Sequence, residues 1–405
     1  MKIAVIGCGI ASTSLIYYLW KYGKNLGFTD IYVVGYEPSF FRCACGVQKW
    51  KIELADFDIY KSYVVEEVRK YVINLIHRDF RKVIEIPSRS FTKAYIIDRG
   101  LLQRDIVDFL LSEGFVKFEN KLVNVFNVVK LVEDFDVVFN GTSLSLIDVK
   151  NVDYNVCIQG VVERGKNFED GHVYAFLSEL TKIGYAWVTP WKLNKVFVGL
   201  GVHKDFASDV KNLFRKFVKF VKEEGLIKSE DVTNVVTKAI PCVKPFTQVV
   251  EVGVNDLLKV GKLPNASLVK VRIGDSVGKV VNIGDACGLT DPVIGAGIGN
   301  TLIHCNVLVK EFVNNVRQRG ELNIDEVVEN TWRKLRWLVE DLCNRFEIVE
   351  RVRKSKSIDE LLHKLFKVYE EGAKRLKILA SIPPLPLKFY TFIVPRIPLK
   401  LVSYV

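Results

Sequence analysis

Apolar and polar positions change rhythm along this chain, and each rhythm predicts a different element. The run KIAVIG at 2–7 is almost continuously apolar, as in a strand buried on both faces. It turns at Gly7-Cys8-Gly9 into a segment, 10–22, with helical spacing. IYVVG at 31–35 is a second apolar strand that ends near Glu37, so the chain opens as a βαβ unit. Residues 62–82 mix the two periods. DRGLLQRDIVDFLLSE at 98–113 has a clear helical period. FDVVFNGT at 135–142 reads as another buried strand, delivering Asn140-Gly141 to its C-terminal edge.

From about 151 to 275 the rhythm shortens. Alternating runs at 156–162, 173–176, 186–188 and 196–201, with one helix near 204–225, predict a mostly antiparallel second domain inserted into the first. A glycine turn at 284 returns the chain to the first domain. A helix-rich region follows from about 302 to 379, and the tail IPPLPLKFYTFIVPRIPLKLVSYV alternates apolar residues with Lys388, Arg396 and Lys400. The expected fold class is α/β with α+β character. A Rossmann-type domain (1–150 and 276–315) is split by an antiparallel-sheet substrate domain (151–275). A helical C-terminal region (316–405) ends in an apolar, basic tail.

Composition narrows the class. At 405 residues, 49% hydrophobic and 26% charged, the chain is an ordered globular protein large enough for two domains. No window of 18 apolar residues predicts a membrane span, and the N-terminus reads as a first strand rather than a signal peptide. The expected location is therefore cytoplasmic, with peripheral membrane contact open. Eight dispersed cysteines and five scattered histidines give no metal-ligand spacing, so no metal is expected. One Met among abundant Lys, Val and Ile suits a thermophile, in which some disulfides would be possible. A net charge of +11 favours an anionic partner: a membrane surface or an acidic electron-transfer protein. Nucleic acid is not expected, for want of a motif or an aromatic-interleaved basic run.

The chemistry concentrates in two glycine turns at opposite ends of the chain. The first, Gly7-Cys8-Gly9-Ile10-Ala11-Ser12, frees helix N-terminal N–H groups for a pyrophosphate, and Glu37 at the end of the second strand suits ribose hydroxyls. Ser12 stands where the fingerprint has its third glycine. The second, VNIGDACGLTDPVIGAGIGNT at 281–301, joins an apolar strand to an acidic turn (Gly284, Asp285). A proline-held bend at Pro292 and glycines at 295, 297 and 299 follow. Two such turns suggest one large ligand spanning both.

The second turn closely resembles the GDAxG…PxxGxGI segment of FAD-dependent oxidoreductases related to p-hydroxybenzoate hydroxylase and geranylgeranyl reductase. The resemblance implies FAD, with Asp285 on the ribityl or ribose region and Gly297 and Ile298 near the pyrophosphate and isoalloxazine. Gly284, Pro292 and Gly295 shape that turn, and Arg99 and Val123 join the cofactor contacts. Tyr185-Ala186-Trp187-Val188-Thr189-Pro190, then Gly199-Leu200-Gly201, is similar to the YxWxFP…GxG signature of geranylgeranyl reductases. There it marks the substrate cavity, which implies Tyr185, Trp187, Pro190, Gly199 and Gly201 as substrate contacts. Thr189 replaces the expected phenylalanine. Phe41-Arg42-Cys43-Ala44-Cys45-Gly46 resembles the cysteine-glycine turn over the flavin. Cys43 or Cys45 is then a candidate proton donor or redox switch.

The implied activity is reduction of geranylgeranyl or other polyprenyl C=C bonds, with archaeal ether lipids the expected isoprenoid substrate. A prenyl quinone or prenyl diphosphate is a further possibility. NADPH or a reduced ferredoxin-like donor would supply the electrons. Two alternatives stay open: an aromatic-type flavin monooxygenase, and a flavin-binding protein without catalysis, for which Ser12, Thr189 and Asn140-Gly141 are the departures.

Overall fold

Lys2–Ile6 is buried from its second residue onward and divides its side chains between two cores. Ile3 and Val5 meet Leu15, Ile16, Leu102, Ile106, Leu308 and Phe312 on one face. Ala4 and Ile6 meet Val128, Val132 and Leu257 on the other. That two-sided burial is why the strand is continuously apolar. The computed structural model describes residues 1–28, 30–35, 46–150, 152–182, 184–355 and 357–381, the side chains of 91, 358, 379 and 380 excepted.

The strand lies in a seven-stranded sheet ordered Val249–Gly253, Leu268–Ile273, Ser276–Asn282, Val137–Asn140, Lys2–Ile6, Asp30–Gly35, Lys117–Asn120. The last five run parallel, and Leu268–Ile273 is antiparallel to Ser276–Asn282. Helices Ile10–Gly23, Arg99–Ser112 and Ile298–Arg319 contribute to the first core, and Val125–Asp134 and Val254–Val260 to the second. In such a sheet the carboxyl ends of the parallel strands form the ligand crevice.

A second seven-stranded sheet runs Thr233–Pro241, Tyr154–Glu163, Lys195–His203, Tyr185–Pro190, His172–Leu177, Lys70–His77, Phe80–Pro87. It is antiparallel except where His172–Leu177 pairs with Lys70–His77. Helix Val210–Glu223 packs Leu213, Phe214, Phe217 and Val221 against Ile158, Val198 and Leu200 on one face. A small sheet of Gly46–Gln48, Ala94–Ile97 and Val64–Glu67 forms a third layer.

The sheets do not divide at the expected 150 and 275. Residues 70–87 join the second sheet, and the strands at 249–273 extend the first. A period of two says which face of a strand is buried but not which sheet receives it. The mixed signal at 62–82 resolves into a short 3-10 turn, Asp58–Tyr63, followed by strands. Helices Ile298–Arg319, Ile324–Lys334, Arg336–Arg353 and Ile358–Ser381 close the described chain. Among the described residues, no helix is long and apolar enough to cross a membrane.

Candidate functional site

Three parallel strands end within van der Waals contact of one another. The Gly7 amide donates to the Val34 carbonyl at 2.8 Å and the Gly141 amide to the Ile6 carbonyl at 2.9 Å. Gly7 has φ +98°, a conformation side chains disfavour. A Cβ on Gly141 would sit 2.2 Å from Ser12 Oγ. Ser12 is fully buried, its hydroxyl donating to the Ile6 carbonyl at 3.1 Å. The third fingerprint position can be Ser because position 141 is Gly. Helix Ile10–Gly23 starts at Gly9 with no capping side chain, leaving its first N–H groups for an anion. Gln103 Nε2 fixes the turn by donating to the Cys8 carbonyl at 3.1 Å.

The second glycine turn packs directly on the first. Gly284 has φ +62°, and a Cβ there would lie 2.8 Å from Ala11 Cβ. Asn140 Nδ2 donates to Asn282 Oδ1 at 2.7 Å and the Ile283 amide to the Asn140 carbonyl at 2.9 Å, which ties the two strand ends together. Asp285 accepts from Thr290 Oγ1 at 2.6 Å and from Ser143 Oγ at 3.3 Å, with Lys238 Nζ at 3.5 Å. Burial alone would raise its carboxyl, but Lys238, Thr290 and Arg99 outweigh that and hold it below the usual range. Burial pushes the Arg99 guanidinium down to about 10 against the opposing pull of Asp285. Arg99 opens helix Arg99–Ser112, whose N-cap Asp98 accepts from the Leu101 amide at 3.1 Å. A Cβ on Gly297 would meet Asp285 Oδ1 at 2.9 Å, and Gly297 starts Ile298–Arg319, again without a capping side chain. Gly7, Gly9, Ser12, Arg99, Gly284, Asp285, Gly297 and Ile298 are thus brought into one cluster.

Between Asp285 and Gly297 the turn is organised by Asp291, which the sequence reading passed over. Its Oδ1 accepts from the Val293 and Ile294 amides at 2.8 and 3.2 Å, its carbonyl from the Gly295 amide at 2.8 Å, and its Oδ2 pairs with Arg345 at 3.0 Å. An Asp-Pro pair is a turn signal, so this residue was locally legible. Lys51 was not. It reaches across from helix Lys49–Leu54 to donate to Asn300 Oδ1 at 2.7 Å, and burial lowers its ammonium to about 8. Lys238 and Gln103 are long-range contacts of the same kind.

Tyr185, Trp187 and Thr189 alternate onto the face of the second sheet opposite helix Val210–Glu223, with Gly201, Gly199 and Phe197 as cross-strand partners. The Tyr185 and Trp187 rings lie 5.4 Å apart. The Tyr185 hydroxyl donates to the Ile294 carbonyl, and a Cβ on Gly295 would meet it at 3.3 Å. The strand bearing this motif therefore abuts the 291–297 turn. Beside the contact lies a narrow pocket, lined by Tyr185, Pro292, Val293, Val352, Leu365 and Tyr369 among others. Pro190 is buried at the far end of its strand, paired with Val196.

Glu37, Cys43, Cys45 and the 382–405 tail lie outside the described residues. Gly46 begins the strand that leads to Lys51, opposite Ile96, and Val123 packs at the edge of the second core. The described cysteines at 157, 242 and 305 are pushed up to about 12, 11 and 12 by burial, which keeps them thiols at neutral pH.

No protein-family model matches the chain. Digeranylgeranylglycerophospholipid reductase of Thermoplasma acidophilum is 22% identical over 93% of this chain and 98% of its own. A geranylgeranyl bacteriochlorophyll reductase-like crystal structure from the same organism has a TM-score of 0.65 at 15% identity, covering 100% of this chain and 97% of that one. CmlS, a flavin-dependent halogenase, has a TM-score of 0.57 at 14% identity, covering 100% and 77%. The fold is that of these structures, and the resemblance to the FAD-dependent geranylgeranyl reductase family extends over 93% of this chain.

Proposed function

We propose that the chain is an FAD-dependent oxidoreductase that saturates C=C bonds of polyprenyl chains. The observation that carries this reading is the Tyr185–Ile294 hydrogen bond, which holds the aromatic strand of the second sheet against the glycine turn of the first. An apolar substrate in the pocket beside that contact would lie next to whatever the turn holds.

The cluster fits FAD. Two helix N-termini without capping side chains, at Gly9 and Gly297, are suited to the pyrophosphate and to the polar edge of a flavin. Asp285, kept ionised, would accept from sugar hydroxyls, and Glu37 is the sequence's candidate for the ribose. When bound and reduced, FAD supplies a hydride. The residues of this chain do the rest. Tyr185, backed by Trp187, is the aromatic wall that orients the alkene, and Val293, Val352 and Leu365 exclude water. Cys43 or Cys45 is the candidate source of the proton that completes the reduction.

Archaeal ether lipids are the favoured substrates, and the electron donor is NADPH or a reduced ferredoxin. A net charge of +11 suits peripheral docking on an anionic membrane. Incubation of the dithionite-reduced holoprotein with geranylgeranyl lipids should yield mass gains of two per double bond. No gain with any prenyl substrate overturns the assignment. The halogenase-like fold favours a second reading, oxygen-dependent monooxygenation, which requires oxygen consumption coupled to product formation.

A further inference from the structure

The pocket between the second sheet and the last two helices has a polar end that the cofactor cluster does not use. Arg353 closes helix Arg336–Arg353, and its side chain is only 10% exposed. Its Nη1 is fully engaged, with Asp153 Oδ2 at 2.7 Å and Glu350 Oε1 at 2.9 Å. Its Nε and Nη2 are buried with no oxygen or nitrogen partner, the Cys242 thiol lying against the guanidinium, and Asn155 Oδ1 is buried and unpaired too. Both residues line the pocket, whose other walls are largely apolar. Buried polar atoms in folded proteins are nearly always paired, so unpaired donors and an unpaired acceptor on two residues that line the same cavity point to a ligand.

The charges decide what kind. Asp153 also pairs with Lys204 at 2.8 Å, so Arg353 and Lys204 stand against Asp153 and Glu350, two cations and two anions. His203 touches Asp153 at 3.4 Å and Asp205 at 3.1 Å, and burial holds it below the usual imidazole range, so it adds no dependable positive charge. The guanidinium charge is compensated while its donors are not. A phosphate would bring excess negative charge to a cluster that is already balanced and half-buried. A hydroxyl can accept from Arg353 and donate to Asn155, which matches both orphaned types.

We propose that this end of the pocket binds a neutral hydroxyl head of the substrate, anchored by Arg353 and Asn155, with the apolar chain running toward Tyr185. The inference rests on the prenyl-lipid reading above. Quenching of tryptophan fluorescence in the oxidised holoprotein tests it without any turnover, using geranylgeraniol, its methyl ether, geranylgeranyl phosphate and squalene.

The alcohol should bind about tenfold or more tightly than squalene, as expected for a hydrogen bond to a charged donor. Arg353→Lys keeps a cation for Asp153 and Glu350 but removes the free donors, and should erase that preference. Asn155→Val leaves the ion pairs untouched and should make alcohol and ether bind alike, which covers the case in which Arg353→Lys fails to fold. Tighter binding of geranylgeranyl phosphate than of the alcohol overturns the neutral head. A preference unchanged in both variants overturns the site. Arg353-dependent alcohol binding without alkene reduction would sink the reductase reading and leave this one standing. Reduction without head discrimination would do the reverse.

Discussion

Gly199 lies directly beneath the indole of Trp187: a Cβ built on it would come within 2.2 Å of the ring. The two are cross-strand partners, so the glycine of the GxG element makes room for the tryptophan of YxW. Gly199→Ala should therefore push Trp187 out of place. The expected cost is about 1–3 kcal/mol of stability, typical of overpacking, with a shifted tryptophan emission. Trp187→Leu in the same background should recover most of the loss in denaturant unfolding. An unperturbed Gly199→Ala protein would show that the indole has another place to go.

The pairing of Ser12 with Gly141 predicts a double-mutant cycle. Gly141→Ala alone puts a methyl 2.2 Å from Ser12 Oγ and should destabilise the nucleotide turn. Ser12→Gly alone removes the hydrogen bond to Ile6 and leaves a gap. Combined, they exchange the bulk between strand and helix, and a coupling of roughly 1 kcal/mol or more in the favourable direction is expected. Urea unfolding of the four proteins measures it, and additive effects would refute the packing argument.

The same two contacts show what local sequence can and cannot reveal. Continuous apolar runs at 2–6 and 137–140 identified buried parallel strands because both faces are covered. Glycines with no other local explanation identified the turns. The motif residues Tyr185 and Trp187 were legible as alternating positions of a strand. What local sequence could not show is pairing at a distance. Nothing near Ser12 announces Gly141, and nothing near Lys51 announces Asn300, 249 residues away. The same limit hid where the strands at 70–87 and 249–273 belong: the period over 62–82 is mixed, no run is read at 249–273, and nothing local says which sheet receives either.

Asp285 and Arg99 should fail together. Each senses the other's charge, and Asp285 also faces Lys238. Asp285→Asn preserves shape and the Thr290 contact but leaves two cations facing an uncharged amide. Breaking a partly buried charge cluster of this kind should cost roughly 2–4 kcal/mol. Flavin content per protein, read from the visible absorbance of purified material, should fall sharply. A variant that retains full flavin would remove Asp285 from the cofactor site.

Acid stability should depend on His304. It sits in Ile298–Arg319, stacked on Trp332 at 5.0 Å, and burial pushes its imidazole down to about 3. The unfolded chain takes up a proton near 6.5, whereas the folded chain resists until about 3. Stability from this group is therefore intact above about 6.5 and falls as pH drops through that window. His304→Phe keeps a ring against Trp332 and has nothing to protonate. Moving from pH 7 to 4.5 should favour the variant over wild type by about 2–3 kcal/mol, two units of the window at 1.4 kcal/mol each. Denaturant melts at both pH values give the difference directly, and parallel pH profiles for the two proteins would show that His304 protonates freely in the fold.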